Sequence, residues 1–255
     1  MLEPISVITI NYNNLNGLKR TLDSVFCQTQ RQKLQFIVVD GGSTDGSAEY
    51  LKENASKIDL LIIEKDKGIY DAMNKGLQKA HGCYVWFVNS GDIIYNSTVT
   101  ENILPLILQD PDVIFGDTMF TDAEGNDIGL ISKMKPQPLP QKLGPNSFRY
   151  GMSVCHQSFI SKRSISPMYD LKYKLAADIH WIIEILKNRP TTARFQGVIS
   201  GFETGGSSYQ NEKKALKERY EVLQNAYGTI PNFLAHIWIA IRRILFKAKI
   251  WRPGT

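Results

Sequence analysis

Oxygen-bearing side chains gather repeatedly in the first hundred residues, each time directly after a short apolar run. Asn11 and Asn13 follow the first run. VVDGGSTDGS at 38–47 then sets small residues and free backbone N–H groups at a turn into a helix, where a ligand can approach the main chain closely. DKGIYDAMNKG at 66–76 opens a helix whose polar face carries Asp71, Asn74 and Lys75. NSGD at 89–92 places Asp92 on a glycine-flexible turn. A divalent cation there would bridge the carboxylate to phosphate oxygens, the ligand type that Mg²⁺ and Mn²⁺ prefer. Taken singly, each segment has a plainer explanation: a tight turn, a solvated helix face, an aspartate capping its own turn.

The elements between these residues place them at one edge. ISVITIN at 5–11 is apolar and β-branched, and Leu18, Leu22, Val25 and Phe26 follow at helical spacing. The alternation continues with a strand at 35–40, a helix at 46–56, a strand at 59–64, a helix at 68–80 and a strand at 83–88. Near-continuous apolar strands alternating with helices predict a parallel sheet covered on both faces. Ligands in such sheets collect at the carboxyl ends of the strands, where Asn11, Asn13, Asp40, Asp66, Asn89, Ser90 and Asp92 all fall. The second half is less regular: a strand at VIFGD (113–117), a proline-rich loop from Lys133 to Pro145, and helices at 178–188 and 209–227.

Composition excludes several classes. The chain has 255 residues, 43% hydrophobic and 22% charged, enough for one substantial core. Cys27, Cys83 and Cys155 are odd in number and widely spaced, so neither a disulfide framework nor a zinc ribbon is expected, and a reducing, cytoplasmic setting fits. The N-terminus lacks the basic leader and long apolar region of a signal peptide. The net charge of +5 lies entirely in residues 232–255, which hold five basic residues and no acid; the rest of the chain balances at 25 basic and 25 acidic. A neutral body with a basic tail argues against nucleic acid.

The ordered set SVITINYNN, VVDGGSTDGS, DKGIYDAMNKG and NSGD resembles the family 2 glycosyltransferases, in the form found in colanic-acid and O-antigen biosynthesis. The resemblance spans residues 5–210 and implies an α/β, GT-A-like (Rossmann-like) fold: a mostly parallel central sheet flanked by helices, with a C-terminal amphipathic helical extension. Residues 1–95 would form the nucleotide-sugar half and 96–208 the acceptor half of one domain, followed by helices at 209–255. The activity implied is inverting transfer of a hexosyl or N-acetylhexosaminyl group from a nucleoside diphosphate sugar to a glycan or lipid-linked glycan in cell-surface polysaccharide biosynthesis.

The same resemblance assigns residues. Tyr12 would pack against the nucleotide base beside Asn11 and Asn13; Asp40 would contact base or ribose; Asp66 and Asn74 would line the nucleotide pocket; Ser90 would lie near the ribose. Asp92 would ligate Mn²⁺ or Mg²⁺. Asp178, opening the helical run in YKLAADIHWIIEIL, aligns with the family's catalytic carboxylate and would be the general base, although an aspartate there is also a common helix cap. His156 and Gln157 in SVCHQSFI would line the acceptor side, with a buried structural histidine as the alternative. Asp117 is a further cleft candidate, and GFETGGSS at 201–208 is a lid or a linker.

Two departures stand out. Gly41 follows Asp40 where many members carry a second acid, and Asn89 and Gly91 leave Asp92 as the lone carboxylate of its motif. A nucleotide-sugar-binding protein with degraded catalysis therefore stays open, as does a sugar-nucleotide pyrophosphorylase, although the glycine-rich basic loop the latter needs after the first strand is missing. No GxGxxG follows that strand either, against a dehydrogenase. In residues 232–251, Phe233, Ile237, Ile241, Ile244 and Leu245 recur at helical spacing near Arg242, Arg243, Lys247 and Lys249, with Trp238 and Trp251 as interfacial aromatics. This predicts peripheral attachment through residues 232–252 to an anionic membrane, at the inner face of the cytoplasmic membrane, or else packing on the domain or on a second subunit in a homodimer.

Overall fold

The computed structural model describes residues 4–152, 154–205 and 211–250. Its strands are β1 (Ile5–Asn11), β2 (Leu34–Asp40), β3 (Leu60–Ile63), β4 (Tyr84–Phe87), β5 (Ile93–Ile94), β6 (Val113–Thr121), β7 (Asp127–Leu130), β8 (Phe159–Lys162) and β9 (Thr192–Glu203). The helices are α1 (Leu15–Phe26), α2 (Ser47–Glu53), α3 (Ile69–Lys79), α4 (Val99–Ile107), α5 (Ile131–Met134), α6 (Ala177–Lys187), α7 (Glu212–Tyr227) and α8 (Thr229–Lys247).

One sheet runs in the order β3-β2-β1-β4-β8-β6-β9-β5, with β7 added beside β6. The first four positions are parallel throughout, and β1 pairs with β2 from Ile5 opposite Leu34 to Asn11 opposite Asp40. β8 runs antiparallel to both β4 and β6, which restores the common direction for β6 and its parallel neighbour β9. The sheet is thus mostly parallel, with β5, β7 and β8 reversed. The register that ends β1 and β2 level with each other sets Asn11 beside Asp40 at the carboxyl edge.

Alternate residues of the central strands feed two cores. Ile8, Ile10, Ile37, Val39, Val85 and Phe87 face α3 and α6, whereas Ile5, Val7, Phe36, Val38 and Trp86 face α1, α2 and α4. Gly76, within the 66–76 motif, is a packing residue: a Cβ there would overlap the Ile8 side chain, so α3 lies directly on β1. The segment expected as a proline-rich loop begins with the short α5, and the expected strand at 113–117 extends four residues further, to Thr121.

α8 is tied to the body by one face. Asn232 is fully buried and donates to the Tyr220 carbonyl, the His236 ring lies 4.7 Å from that of Tyr220, and buried Arg242 donates to the Tyr150 carbonyl. Ile230, Phe233, Leu234, Ile237, Trp238, Ile241 and Ile244 are exposed, and their spacing puts them on one continuous stripe. No described helix is long and apolar enough to cross a membrane. Trp251 and Arg252 of the expected membrane segment lie outside the described residues.

Candidate active site

The turn after β1 and the turn after β2 are built as one unit. Asp40 is fully buried and both its oxygens are engaged: Oδ1 accepts from the N–H groups of Gly42 and Ser43, Oδ2 from Ser43 Oγ and Asn11 Nδ2. Asn13, in the left-handed region at φ 50°, donates through its N–H to Ser43 Oγ and accepts from Thr44 N–H. Asp40 and Asn13 therefore hold the turn.

The exposed group of the turn is Tyr12, 66% accessible. A Cβ at Gly41 would stand 3.2 Å from Tyr12 Cδ2 and would overlap Asp66 Oδ2. Tyr12, bare Gly41 and Asp66 thus form a small open shelf, on which the second acid missing from position 41 has its place filled by the Asp66 carboxylate. Asp66 is oriented by the Gly68 N–H at 2.8 Å, just before α3. Asn74 is not on this shelf. It is 8% exposed, and both ends of its amide pair with the backbone of Tyr169, at 3.0 and 2.7 Å, so it fastens α3 to the loop before α6.

The NSGD turn closes the opposite side. Ser90 is half-buried and its Oγ donates to the Asn14 carbonyl at 3.2 Å. Asp92 is nearly buried; Oδ2 accepts from Gln157 Nε2 at 2.8 Å and Oδ1 from the Glu203 N–H at 3.2 Å. Desolvation pushes its carboxyl up to about 7, against the lowering effect of the two hydrogen bonds. Gln157 therefore holds the Asp92 carboxylate in place. Glu203 bonds Arg20 and would meet a Cβ on Gly91 at 2.7 Å. Two open cavities, of about 350 and 550 Å³, flank this turn on the α1 side, both touching Arg20, and neither is lined by Tyr12, Asp66 or Asp178.

Asp178 sits in the first turn of α6, half-buried, accepting from the Tyr70 hydroxyl at 3.2 Å. Behind it lies an aromatic stack: Tyr70 and Tyr169 at 5.6 Å, Tyr169 and Trp181 at 5.1 Å. His156 belongs to that stack. It is 3% exposed, its Nε2 is 2.7 Å from the Tyr169 hydroxyl, and burial pushes its pKa down to about 4. The structural alternative for His156 is thus the one realised, because Phe87, Tyr169 and Trp181 shut it from solvent. Asp117 is also structural: its carboxylate accepts from Ser132 Oγ and from the N–H groups of Thr118 and Ser132 at the start of α5.

Fit to a divalent cation rests on the NSGD turn. Asp92 uses one lone pair on each oxygen, and Asn89 Oδ1 is buried with no hydrogen-bond partner. These are oxygen donors of the kind that Mg²⁺ and Mn²⁺ take, to be completed by phosphate. Among the described residues no group of three or more His, Cys, Asp or Glu side chains is placed to hold a metal. Sequence reasoning did not single out Tyr70 or Glu203, although both lie inside quoted motifs; the hydroxyl of Tyr70 and the N–H of Glu203 become relevant only once the sheet brings distant segments together.

The chain belongs to glycosyl transferase family 2, whose pattern it matches over residues 6–166. It is a glycosyltransferase by family. An uncharacterized glycosyltransferase of Mycobacterium tuberculosis H37Rv is 31% identical over 97% of this chain and 94% of its own. The PGL/p-HBAD biosynthesis glycosyltransferase of the same strain is 27% identical, over 80% of this chain and 78% of its own. In fold, the chain is similar to S. aureus TarS 1–349 in complex with UDP-GlcNAc (TM-score 0.68, 16% identity, 96% of this chain and 73% of that one), and spans 44% of a longer TarS chain. It is also similar to the mannosyltransferase PcManGT of Pyrobaculum calidifontis in complex with GDP-Man and Mn²⁺ (TM-score 0.61, 19% identity, 97% and 76%).

Proposed function

We propose that this chain transfers a hexosyl or N-acetylhexosaminyl group from a nucleoside diphosphate sugar to a hydroxyl of a lipid-linked glycan, with inversion at the anomeric carbon. The observation that carries this reading is that neighbouring residues tie Asp92 and Asp178 to one region: Gln157 holds Asp92, while His156 bonds Tyr169, whose ring stacks on Tyr70, the donor to Asp178. The nucleotide base would rest on the shelf of Tyr12, Gly41 and Asp66, with Ser90 toward the ribose. Asp92 and Asn89 would hold a divalent cation, which when bound supplies positive charge to the leaving diphosphate.

Asp178 removes the acceptor hydroxyl proton as that oxygen bonds to the anomeric carbon from the face opposite the diphosphate. The bond from that carbon to the phosphate oxygen breaks in the same displacement, so the configuration inverts once. The Tyr70 hydroxyl fixes the orientation of Asp178. His156 stays neutral and supports the stack behind the base.

The exposed α8 stripe, flanked by Arg243, Lys247 and Lys249, supports peripheral attachment to the inner face of the cytoplasmic membrane, each cation contributing on the order of 1 kcal/mol at an anionic surface. The name of the PGL/p-HBAD relative is in keeping with a glycolipid product. The test is incubation of the purified protein with UDP- and GDP-sugars, Mn²⁺ and bacterial lipid extract, with product configuration read by NMR. A product of inverted anomeric configuration is expected; nucleotide-sugar binding without any transfer to any acceptor would favour a binding protein with degraded catalysis.

A further inference from the structure

The loop that delivers Asp178 is held from two sides by side chains of other helices. It runs from Tyr169 to Ala176, the residue before α6. At its front, the Asn74 amide of α3 pairs with both the N–H and the carbonyl of Tyr169. At its rear, a single oxygen of Glu218 in α7, Oε2, accepts from the N–H groups of Lys174 and Leu175, at 2.9 and 2.7 Å. Between these points Tyr173 is buried, and its hydroxyl accepts from Asn225 Nδ2 of α7 at 3.1 Å.

The sequence of α7, EKKALKERYEVLQNAY, is largely polar, and its buried residues are Ala215, Val222 and Leu223. Glu218 and Asn225 share the face of Ala215 and Val222, at helical spacing. Val222 and Leu223 belong to the same core as Ala176, Ala177 and Trp181, so this face lies against the start of α6. Both polar residues on it end on residues 173–175. The need for them is local. α6 starts after Ala176, and no side chain caps that end. Glu218 brings in an acceptor from another helix, and its two charge-assisted bonds fix the residues that enter the uncapped start.

We propose that Glu218 is a positioning residue for sugar transfer: through the Lys174 and Leu175 amides it sets where Asp178 stands against the acceptor hydroxyl. This rests on the reading of Asp178 as the general base. A general base must reach within about 2.6–3.2 Å of the oxygen whose proton it takes, and a misplacement of about 1 Å can cost about 10²-fold in rate. Without Glu218 the two amides turn to water and the first turn of α6 is free to shift. The donor shelf of Tyr12, Gly41 and Asp66 is carried by the turns after β1 and β3 and stays as it is.

The experiment is a set of variants of the full chain, assayed for transfer from the active nucleotide sugar, with amide hydrogen exchange followed over residues 170–178. Glu218→Ala is expected to lower kcat about tenfold or more and to speed exchange at Lys174 and Leu175. The donor KM and the calorimetric affinity for UDP or GDP should stay within about twofold. Glu218→Gln, whose amide oxygen still accepts from both N–H groups, should recover most of the turnover. Glu221→Ala removes an exposed partner of Lys172, 3.7 Å away on the same helix, and should leave kcat within about twofold. In an Asp178→Asn background, Glu218→Ala should change the residual turnover by less than about twofold, since the group it positions is gone. An unchanged kcat in Glu218→Ala, or in Glu218→Asp if the alanine variant does not fold, overturns the proposal with the base still assigned. An equal fall in both backgrounds, or unaltered amide exchange, does the same. Turnover retained by Asp178→Asn alone instead overturns the reading of the base on which the proposal rests.

Discussion

Replacing Gly41 with alanine perturbs the donor shelf and little else. The added Cβ would overlap Asp66 Oδ2 and press on Tyr12 Cδ2 at 3.2 Å. Tyr12 is exposed and Asp66 half-buried, so both side chains can swing away, and the cost to folding should stay below about 1 kcal/mol. Ligand binding cannot escape so cheaply. Moving Asp66 breaks its bond from the Gly68 N–H, and moving Tyr12 spoils a stacking surface of a kind worth about 1–3 kcal/mol per base. Donor affinity should therefore fall roughly 5- to 150-fold. Calorimetric titration with UDP and GDP reads this directly, beside a thermal melt that should barely move. Affinity within a factor of two of wild type for the nucleotide that binds would refute the placement of the base on this shelf.

Two further outcomes follow from groups whose protonation the fold has shifted. Asp92, raised to about 7 by burial, must lose its proton before it can ligate a cation, so apparent Mn²⁺ affinity should rise about tenfold per pH unit up to pH 7 and level off above it; Gln157→Leu removes a donor that favours the ionised form and should shift that profile to higher pH, and a flat wild-type profile would show that Asp92 is not the ligand. His156 is held neutral, its pKa lowered to about 4, so its contribution to stability is fully present above the unfolded value of 6.5 and is lost as pH falls toward 4. Urea unfolding should register a loss of about 2 kcal/mol between pH 7 and 5 from this group, absent in His156→Gln, and an unchanged pH dependence in that variant would contradict its burial as a neutral ring.

The parallel half of the fold was legible because its signals are local. Apolar runs of four to seven residues, helical spacing between them and polar residues at their ends gave β1 to β4 and α3 to within a residue or two. The order of β8, β6 and β9 was not legible, since the reversed β8 is reached through a long irregular segment whose pairing depends on distant chain. The site residues divide in the same way. Tyr12 and Asp66 lie at open turns, Asp178 lies in the first turn of α6, and Asp92 is nearly buried in its turn. Asn74, His156, Gln157, Asp117 and the Asp40 carboxylate proved to be holding other parts of the chain. Residue type is the same for a ligand-binding amide and for one that clasps a loop; only the position of Tyr169 opposite Asn74, or of Asp92 opposite Gln157, tells them apart. The glycine-rich segment 201–208 divides as well: Glu203 caps Asp92, while residues 206–208 lie outside the described structure.

The central claim is that Asp178 acts as the base in sugar transfer, and Asp178→Asn tests it most directly, because the amide keeps the shape and can still accept from Tyr70 but cannot take a proton. Measured side by side, turnover and donor affinity should separate: turnover falls by about 10²–10⁴, the usual contribution of a positioned general base, while nucleotide binding stays near wild type. Turnover retained at more than about a tenth of wild type, with binding unchanged, would contradict the account and leave Asp178 as a first-turn carboxylate held by Tyr70 and favoured by the helix dipole.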